Sequence, residues 1–169
     1  MDRAHIGVVG PGQADPRLEA AAEEVGRRIA EAGAVVVCGG LGGVMAAACR
    51  GAAEAGGTSV GILPGTDRHE ANRWVTVAVP TGLGELRNGL VVRASDVLVA
   101  LGGGYGTLSE VALALKAGIT VVGLGTWSLI RPGGEADPGV RVALDPATAV
   151  REAMADAHRR APRRPVAGG

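Results

Sequence analysis

The sequence predicts an α/β fold: a three-layer, Rossmann-like, doubly wound sheet that is mostly parallel and has six to seven strands. Three observations lead to this prediction. Short apolar runs alternate along the chain with longer segments of helical periodicity. The apolar runs are hydrophobic throughout, as is typical of parallel strands that helices cover on both faces. Glycine-rich loops follow three of these runs, at residues 10–12, 39–43 and 102–106.

Each predicted strand is a short apolar run that glycine, proline or polar residues bound. The strands are predicted at residues 5–9, 34–38, 58–63, 74–79, 97–101 and 119–124, with a short seventh strand near 140–142. If the first strand lies between the second and the fifth, all three glycine loops meet in one crevice. We therefore favour the strand order 4-3-2-1-5-6, in which that crevice is the ligand site of a doubly wound sheet.

Apolar spacing and end signals predict the helices. Asp15 followed by Pro16 is an N-cap with proline at the first helical position, and Gly33 ends that helix. Asp145 and Pro146 repeat the start signal near the end of the chain. Helices are predicted at 16–32, 44–55, 84–93, from the 107–110 motif to 116, and at 146–158, with an exposed polar loop at 66–73.

The composition indicates a single domain, residues 1–160, followed by a disordered tail at 161–169. The net charge is zero, and the chain has one tyrosine, two tryptophans and no phenylalanine, so we expect no nucleic-acid partner. No apolar run approaches the roughly 20 residues of a membrane span, so we expect no membrane partner and a cytoplasmic location. Cys38 and Cys49 lack the spacing of a metal site, and we predict that both are small core residues.

The stretch from Leu101 to Glu110 is read as the end of a strand, a glycine loop and the start of a helix. Its glycines leave backbone N–H groups uncovered beside a helix N-terminus, an arrangement that can bind a phosphate or another anion. A purely structural interpretation is also open, because Thr107 and Glu110 have the spacing of a capping box, in which both side chains bond to free N–H groups.

The glycine loops do not match two common nucleotide motifs. A P-loop requires a lysine, and none of the three loops has one. A dinucleotide fingerprint requires a third glycine after the first strand and an acidic residue at the end of the second, where this chain has Cys38 and Gly39. A redox cofactor is therefore not expected.

Two chargeable residues, Glu110 and Arg87, are predicted to lie near the third glycine loop. This pair suits cleavage of an N-glycosidic bond, because a fixed carboxylate stabilises an oxocarbenium-like sugar or positions the attacking water. The arginine can hold the phosphate or orient the carboxylate. Alternatively, Glu110 only caps its helix, and Arg87 forms a surface ion pair with Glu85 or another acidic residue.

Residues 103–110, with the pattern Gly-Gly-Tyr-Gly-Thr-x-x-Glu, resemble the signature of the LOG ("lonely guy") family, which is often labelled lysine decarboxylase. Arg87 falls where that family has an Arg-Lys pair, and residues 39–45 resemble its second glycine loop. The resemblance covers about residues 5–125. It implies a Rossmann-like fold and a nucleoside 5′-monophosphate phosphoribohydrolase, which releases a base and ribose 5-phosphate.

Two departures from the LOG pattern point to a sister branch, since Gly102 replaces a proline and Asn88 replaces a lysine. Together with Thr81-Gly82 and Ser95-Asp96, these residues resemble more closely the branch that includes the molybdenum-cofactor carrier proteins. That branch is related to the nucleotide-binding domain of DprA/Smf proteins. The resemblance to it implies a non-catalytic carrier of a phosphorylated cofactor or a nucleotide.

Two functions are therefore expected from the sequence. One is a hydrolase in which Glu110 and Arg87 are catalytic and no cofactor is required. The other is a binding protein whose ligand is a nucleotide or the molybdenum cofactor. DNA binding of the DprA type is disfavoured by the neutral charge and the scarcity of lysine and aromatic residues.

The resemblance also implies a homodimer or a higher homo-oligomer. No metal site is expected, and the expected ligand-binding residues are Gly10, Gly12, Gly39, Gly40, Gly42, Gly43, Asn88, Gly103, Gly104, Tyr105, Gly106 and Thr107.

Overall fold

The computed structural model describes residues 3–160, so the tail predicted at 161–169 lies outside the described residues. The strands β1 to β7 are, in chain order, His5–Val9, Val35–Cys38, Thr58–Leu63, Val77–Pro80, Val97–Leu101, Val121–Leu124 and Val140–Ala143. They form one sheet in the order β4-β3-β2-β1-β5-β6-β7, and every neighbouring pair is parallel. The predicted fold class and the favoured strand order are confirmed, with β7 added beyond β6.

Helices cover both faces of the sheet. The helices α1 to α5 are Pro16–Glu31, Val44–Glu54, Asn88–Arg93, Tyr105–Lys116 and Pro146–Arg160. Helices α1, α2 and α5 pack on one face, and α3 and α4 pack on the other. Successive strand residues therefore face different layers: Val36 and Val99 contact the first, and Val37 and Leu98 contact the second. Burial on both faces explains why the strands are apolar throughout.

Helices α1 and α2 pack with their backbones in direct contact. A Cβ atom on Gly26 of α1 would lie 1.9 Å from the carbonyl oxygen of Ala48 in α2. A Cβ atom on Gly51 of α2 would lie equally close, 1.9 Å, to the carbonyl oxygen of Glu23 in α1. Glycine is required at both positions, and the contact fixes α2, which begins directly after the second glycine loop.

Strand β4 begins and ends later than the sequence predicts. The N–H groups of Trp74 and Val75 donate to the side-chain and main-chain oxygens of Asn72, so this segment forms a turn rather than a strand. The strand starts at Val77 and includes Pro80. Proline is tolerated there because β4 is an edge strand, with only β3 as a partner.

Other element boundaries also shift. The predicted helix at 84–93 is a 3-10 turn over Gly84–Arg87 that continues into α3. The predicted polar loop at 66–73 contains a 3-10 turn over Arg68–Glu70. Strand β6 begins at Val121 rather than 119, because the N–H of Ile119 donates to the carbonyl of Ala114 and closes the end of α4.

Candidate functional site

The order of the strands reverses between β1 and β5, because β2 is added on one side of β1 and β5 on the other. The loops that follow β1 and β5 meet at this point, as the sequence predicts for a doubly wound sheet. They enclose a cavity of about 460 Å³, which we call the switch-point cavity. It is lined by Gly10, Pro11, Gly12, Leu41, Met45, Pro64, Gly84, Glu85, Arg87, Asn88, Gly104, Gly106, Thr107 and Glu110.

The cavity brings together the two predicted catalytic residues, Glu110 and Arg87, and about half of the predicted ligand-binding residues. The ligand-binding residues on its lining are Gly10, Gly12, Asn88, Gly104, Gly106 and Thr107. Others lie around the cavity instead of on its lining, namely Gly39, Gly40, Gly42, Gly43, Gly103 and Tyr105.

The second glycine loop supports the cavity from behind. The carbonyl oxygen of Gly39 accepts a hydrogen bond from Nη2 of Arg87 at 3.4 Å. The backbone of Gly43 passes so close to the first loop that a Cβ atom there would lie 2.4 Å from the carbonyl oxygen of Pro11. This loop therefore positions the walls, and Leu41 of the loop and Met45 at the start of α2 contribute to the lining.

Arg87 and Glu110 face each other in the cavity. Nη1 of Arg87 lies 4.0 Å from Oε1 of Glu110, and each side chain is only 9% exposed. Nη1 also donates to Oδ1 of Asn88, and Nδ2 of Asn88 in turn donates to Oγ of Ser109 at 3.4 Å. The carboxylate partner of Arg87 is thus Glu110 inside the cavity, not Glu85 on the surface, and Asn88 holds the guanidinium in place.

The carboxyl group of Glu110 has an unusual affinity for its proton. Burial raises the pKa of Glu110 from 4.5 to about 7, although the nearby Arg87 cation opposes part of this increase. A carboxyl group with a pKa near neutrality can serve as a general acid or a general base. When protonated, it also does not repel an anion bound beside it.

The capping-box interpretation of Thr107 and Glu110 is wrong, because α4 begins three residues earlier than it requires. The helix starts at Tyr105, and its N-cap is Gly104, which has no side chain to accept a hydrogen bond. Thr107 is therefore the third helical residue, and its Oγ1 atom is buried without a hydrogen-bond partner among residues 3–160. The first N–H groups of α4 therefore have no side-chain cap. They face the cavity, as does the positive end of the helix dipole.

The conformation of Gly102 explains one departure from the LOG pattern. Gly102 has a φ angle of +63°, in the left-handed region that favours glycine. The proline that the LOG signature has at this position would need a φ angle of about −65°. The loop after β5 therefore follows a path that the proline-containing signature cannot adopt.

Trp127 is a contact of the third glycine loop that sequence reasoning did not identify. Its Nε1 donates to the carbonyl oxygen of Gly104 at 3.2 Å, and its ring packs on Gly103. The ring of Tyr105 stacks on it at a centroid distance of 5.9 Å and is itself 83% exposed. The one available signal was a tryptophan in a Gly- and Pro-rich segment of a chain that has few aromatic residues.

A larger cavity of about 750 Å³ lies on the other side of Gly102, beside the N-terminal ends of α1 and α5. Its charged lining residues are Asp15, Arg17 and Asp145. Asp15 and Asp145 already accept hydrogen bonds from the N–H groups at the starts of their own helices. These helix ends are capped, whereas that of α4 is open, so the switch-point cavity is the better anion site.

None of the helices within residues 3–160 has both the length and the apolar character needed to cross a membrane.

Comparisons with known proteins place the chain among relatives of this architecture. A model of the SLOG cluster4 family matches residues 3–150. An uncharacterised protein of Archaeoglobus fulgidus is 44% identical over 124 residues, which are 73% of this chain and 82% of that protein. The molybdenum cofactor binding protein of Rippkaea orientalis is 37% identical with a TM-score of 0.82, covering 92% of this chain and 98% of that one. The molybdenum cofactor carrier protein of Chlamydomonas reinhardtii is 40% identical, also with a TM-score of 0.82 and coverages of 92% and 98%.

Proposed function

Because the chain belongs to the SLOG cluster4 family, we propose that it binds a small phosphorylated ligand in the switch-point cavity and acts as a non-catalytic carrier of the molybdenum-cofactor type. The resemblance of its sequence to the carrier branch and its similarity to solved carrier proteins both favour this function over hydrolysis. Of the two positions at which it departs from the LOG pattern, Asn88 lines this cavity, and Gly102 lies in the loop after β5, in contact with Pro11 of the lining.

Two buried polar atoms without partners carry the proposal. Within the described part of the chain, Nε of Arg87 and Oγ1 of Thr107 have no hydrogen-bond partner, and both residues line the switch-point cavity. Leaving a buried polar atom unpaired costs about 1–3 kcal/mol, so such atoms usually have a partner that belongs to the functional state. A phosphate offers several acceptor oxygens, and the uncapped N–H groups at the start of α4 supply further donors.

The molybdenum cofactor is a phosphorylated pterin, and the residues around the cavity suit both of its parts. We place its phosphate at Gly104, Gly106 and Thr107, with Arg87 as the counter-charge. The exposed ring of Tyr105 lies at the same helix end and offers a flat face to the pterin. The bound cofactor would supply molybdenum redox chemistry to the enzyme that receives it, and this chain would only hold it and shield it from water.

Retention of the cofactor by the purified protein tests the proposal. The reduced full-length chain is mixed anaerobically with molybdenum cofactor released from a molybdoenzyme and then passed through a gel-filtration column. We expect molybdenum and pterin to elute with the protein in equal amounts. Thr107→Val should lose most of this retention, and Thr107→Ser, which keeps the hydroxyl group, should preserve it. Elution of the cofactor only as free small molecule would contradict a carrier function.

A phosphoribohydrolase remains the second candidate, and one observation favours it specifically. Glu110 combines a pKa of about 7 with a position 4.0 Å from the guanidinium of Arg87. This combination suits an acid or base that acts on the sugar of a nucleoside monophosphate. Incubating the protein with a panel of nucleoside 5′-monophosphates and measuring free base decides this question. Equal rates of release by wild type and by Glu110→Gln would exclude a hydrolase that depends on Glu110.

We also propose that the protein forms a homodimer through a leucine-rich face beside the site. Leu83, Leu86 and Leu90 lie exposed along the 3-10 turn and α3, and Leu113 of α4 adjoins them. The exposed Glu85 precedes Leu86 in the 3-10 turn, and the basic residues Arg93 and Lys116 lie on the face with the leucines. An antiparallel pairing of two copies buries the leucines and places opposite charges together, as a two-fold interface requires.

A further inference from the structure

Three sulfur-containing side chains meet in the core directly behind the second glycine loop. Cys38 is the last residue of β2 and Cys49 lies in α2, and their Sγ atoms are 3.5 Å apart. Both cysteines are completely buried. Met45 precedes Cys49 by four residues, which places the two on one face of α2, and it packs in the same buried cluster as both cysteines.

A main-chain hydrogen-bond donor and a cation lie near the cysteine sulfurs. The N–H of Gly40 donates to Sγ of Cys38 at 3.3 Å. The Arg87 guanidinium donates to the carbonyl of Gly39, the residue next to Cys38. A hydrogen-bond donor to the sulfur and a nearby cation both favour the thiolate form that binds a metal.

We propose that Cys38, Cys49 and Met45 form a binding site for Cu(I). Two thiolates and a thioether are the soft ligands that select this ion. Structural Zn(II) requires four ligands in a tetrahedron, one more than the sulfur cluster offers. This site goes beyond the proposed carrier function and does not depend on it.

Binding at this site involves no change in oxidation state. Cu(I) forms bonds to the two cysteine sulfurs and displaces one proton from each thiol, so that the bis-thiolate complex carries one negative charge. The Arg87 guanidinium, which donates to the carbonyl of Gly39 next to Cys38, lies where it can offset that charge. Met45 provides the route of entry, because it belongs both to the sulfur cluster and to the lining of the switch-point cavity.

Competition with a chromophoric chelator tests the proposal. The reduced full-length protein is titrated anaerobically with Cu(I) in the presence of bathocuproine disulfonate, and X-ray absorption reports the ligand atoms. We expect one equivalent of Cu(I) with a sulfur-only first shell. Cys38→Ser and Cys49→Ser should each abolish this binding. Circular dichroism of each variant confirms that it has folded.

Two conservative methionine variants distinguish the loss of a copper ligand from a loss of folding. Met45→Leu conserves volume and should weaken Cu(I) binding by more than about tenfold, the lower end of the loss seen when even an outer contact of a metal site is removed. Met154→Leu, on α5 and away from the cluster, is the matched control and should bind like wild type. The proposal is wrong if the chelator removes all Cu(I) from the wild type, or if the cysteine variants bind as the wild type does. It is also wrong if the two thiols only oxidise to a disulfide.

Discussion

Nη1 of Arg87 lies 4.0 Å from Oε1 of Glu110, and both side chains are buried at the wall of the switch-point cavity. The two residues lie on different elements of the fold. Arg87 ends a 3-10 turn, and Glu110 lies in α4. Their separation allows the guanidinium to attract a ligand anion and, at the same time, to stabilise the ionised form of the carboxyl group. Ligand charge and the protonation of Glu110 are therefore linked.

Glu110→Gln should change how stability depends on pH. The pKa of Glu110 is about 7 in the folded chain and returns towards 4.5 on unfolding. Between these values the folded state holds more protons than the unfolded state, so the free energy of unfolding of the wild type falls as the pH rises. The variant lacks this decline, and its stability relative to the wild type should rise by up to about 3 kcal/mol from below pH 4.5 to above pH 7.

Denaturant unfolding at a series of pH values measures this effect. Glu85→Gln, which removes an exposed carboxylate from the same cavity rim, is the matched control and should follow the wild-type curve. Parallel curves for Glu110→Gln and the wild type would show that Glu110 titrates normally.

Gly102→Ala should destabilise the protein, whereas Gly104→Ala should have little effect. The φ angle of +63° at Gly102 costs an L-residue about 1–2 kcal/mol, and the added Cβ would also lie 2.8 Å from Cδ2 of Leu18. At Gly104 the φ angle is −115° and no heavy atom lies within 4 Å of the added Cβ. Thermal unfolding distinguishes the two, and equal stabilities would mean that the loop after β5 has a different path.

Tyr105→Ala should weaken the binding of a phosphorylated pterin but not of inorganic phosphate. Loss of one ring that stacks on a base costs about 1–3 kcal/mol, or roughly 5- to 150-fold in affinity. Leu144→Ala, which removes an exposed side chain beside the larger cavity, is the control. Calorimetry measures the affinity for both ligands. An equal loss of affinity for pterin and for phosphate would show that Tyr105 does not contact the pterin ring.

Leu86→Glu should convert a dimer into a monomer. Leu86 is 80% exposed at the centre of the proposed leucine-rich face, and a carboxylate there would be buried without a partner in the dimer. Leu144→Glu changes a residue that is 90% exposed beside the larger cavity and should leave the assembly unchanged. Light scattering after gel filtration gives both masses, and a monomeric wild type would rule out this interface.

The sequence was sufficient for the fold because its strong signals were local. Runs such as Val97–Leu101 are apolar enough to require burial on both faces, and a glycine loop after each of three strands points to the switch between β1 and β5. The start of α4 was harder to predict, since Thr107 and Glu110 fit a capping box as well as they fit a ligand site. Only the position of Gly104 as N-cap separates these two interpretations.

Contacts between distant segments could not be predicted from local pattern. Trp127 reaches back across 23 positions to the carbonyl of Gly104, and no periodicity marks that pairing. The sulfur cluster likewise depends on how α2 packs on the end of β2, which brings Cys49 to Cys38. In both cases the tertiary packing decides the contact, and the residue types alone leave a small core residue as the simplest interpretation.

A crystal structure of the protein with the phosphorylated pterin of the molybdenum cofactor tests the central claim most directly. The account predicts the phosphate at the start of α4, with its oxygens within hydrogen-bond distance of Oγ1 of Thr107 and Nε of Arg87. A ligand bound instead in the larger cavity beside Asp15 and Asp145, with those two atoms still unpaired, would contradict it.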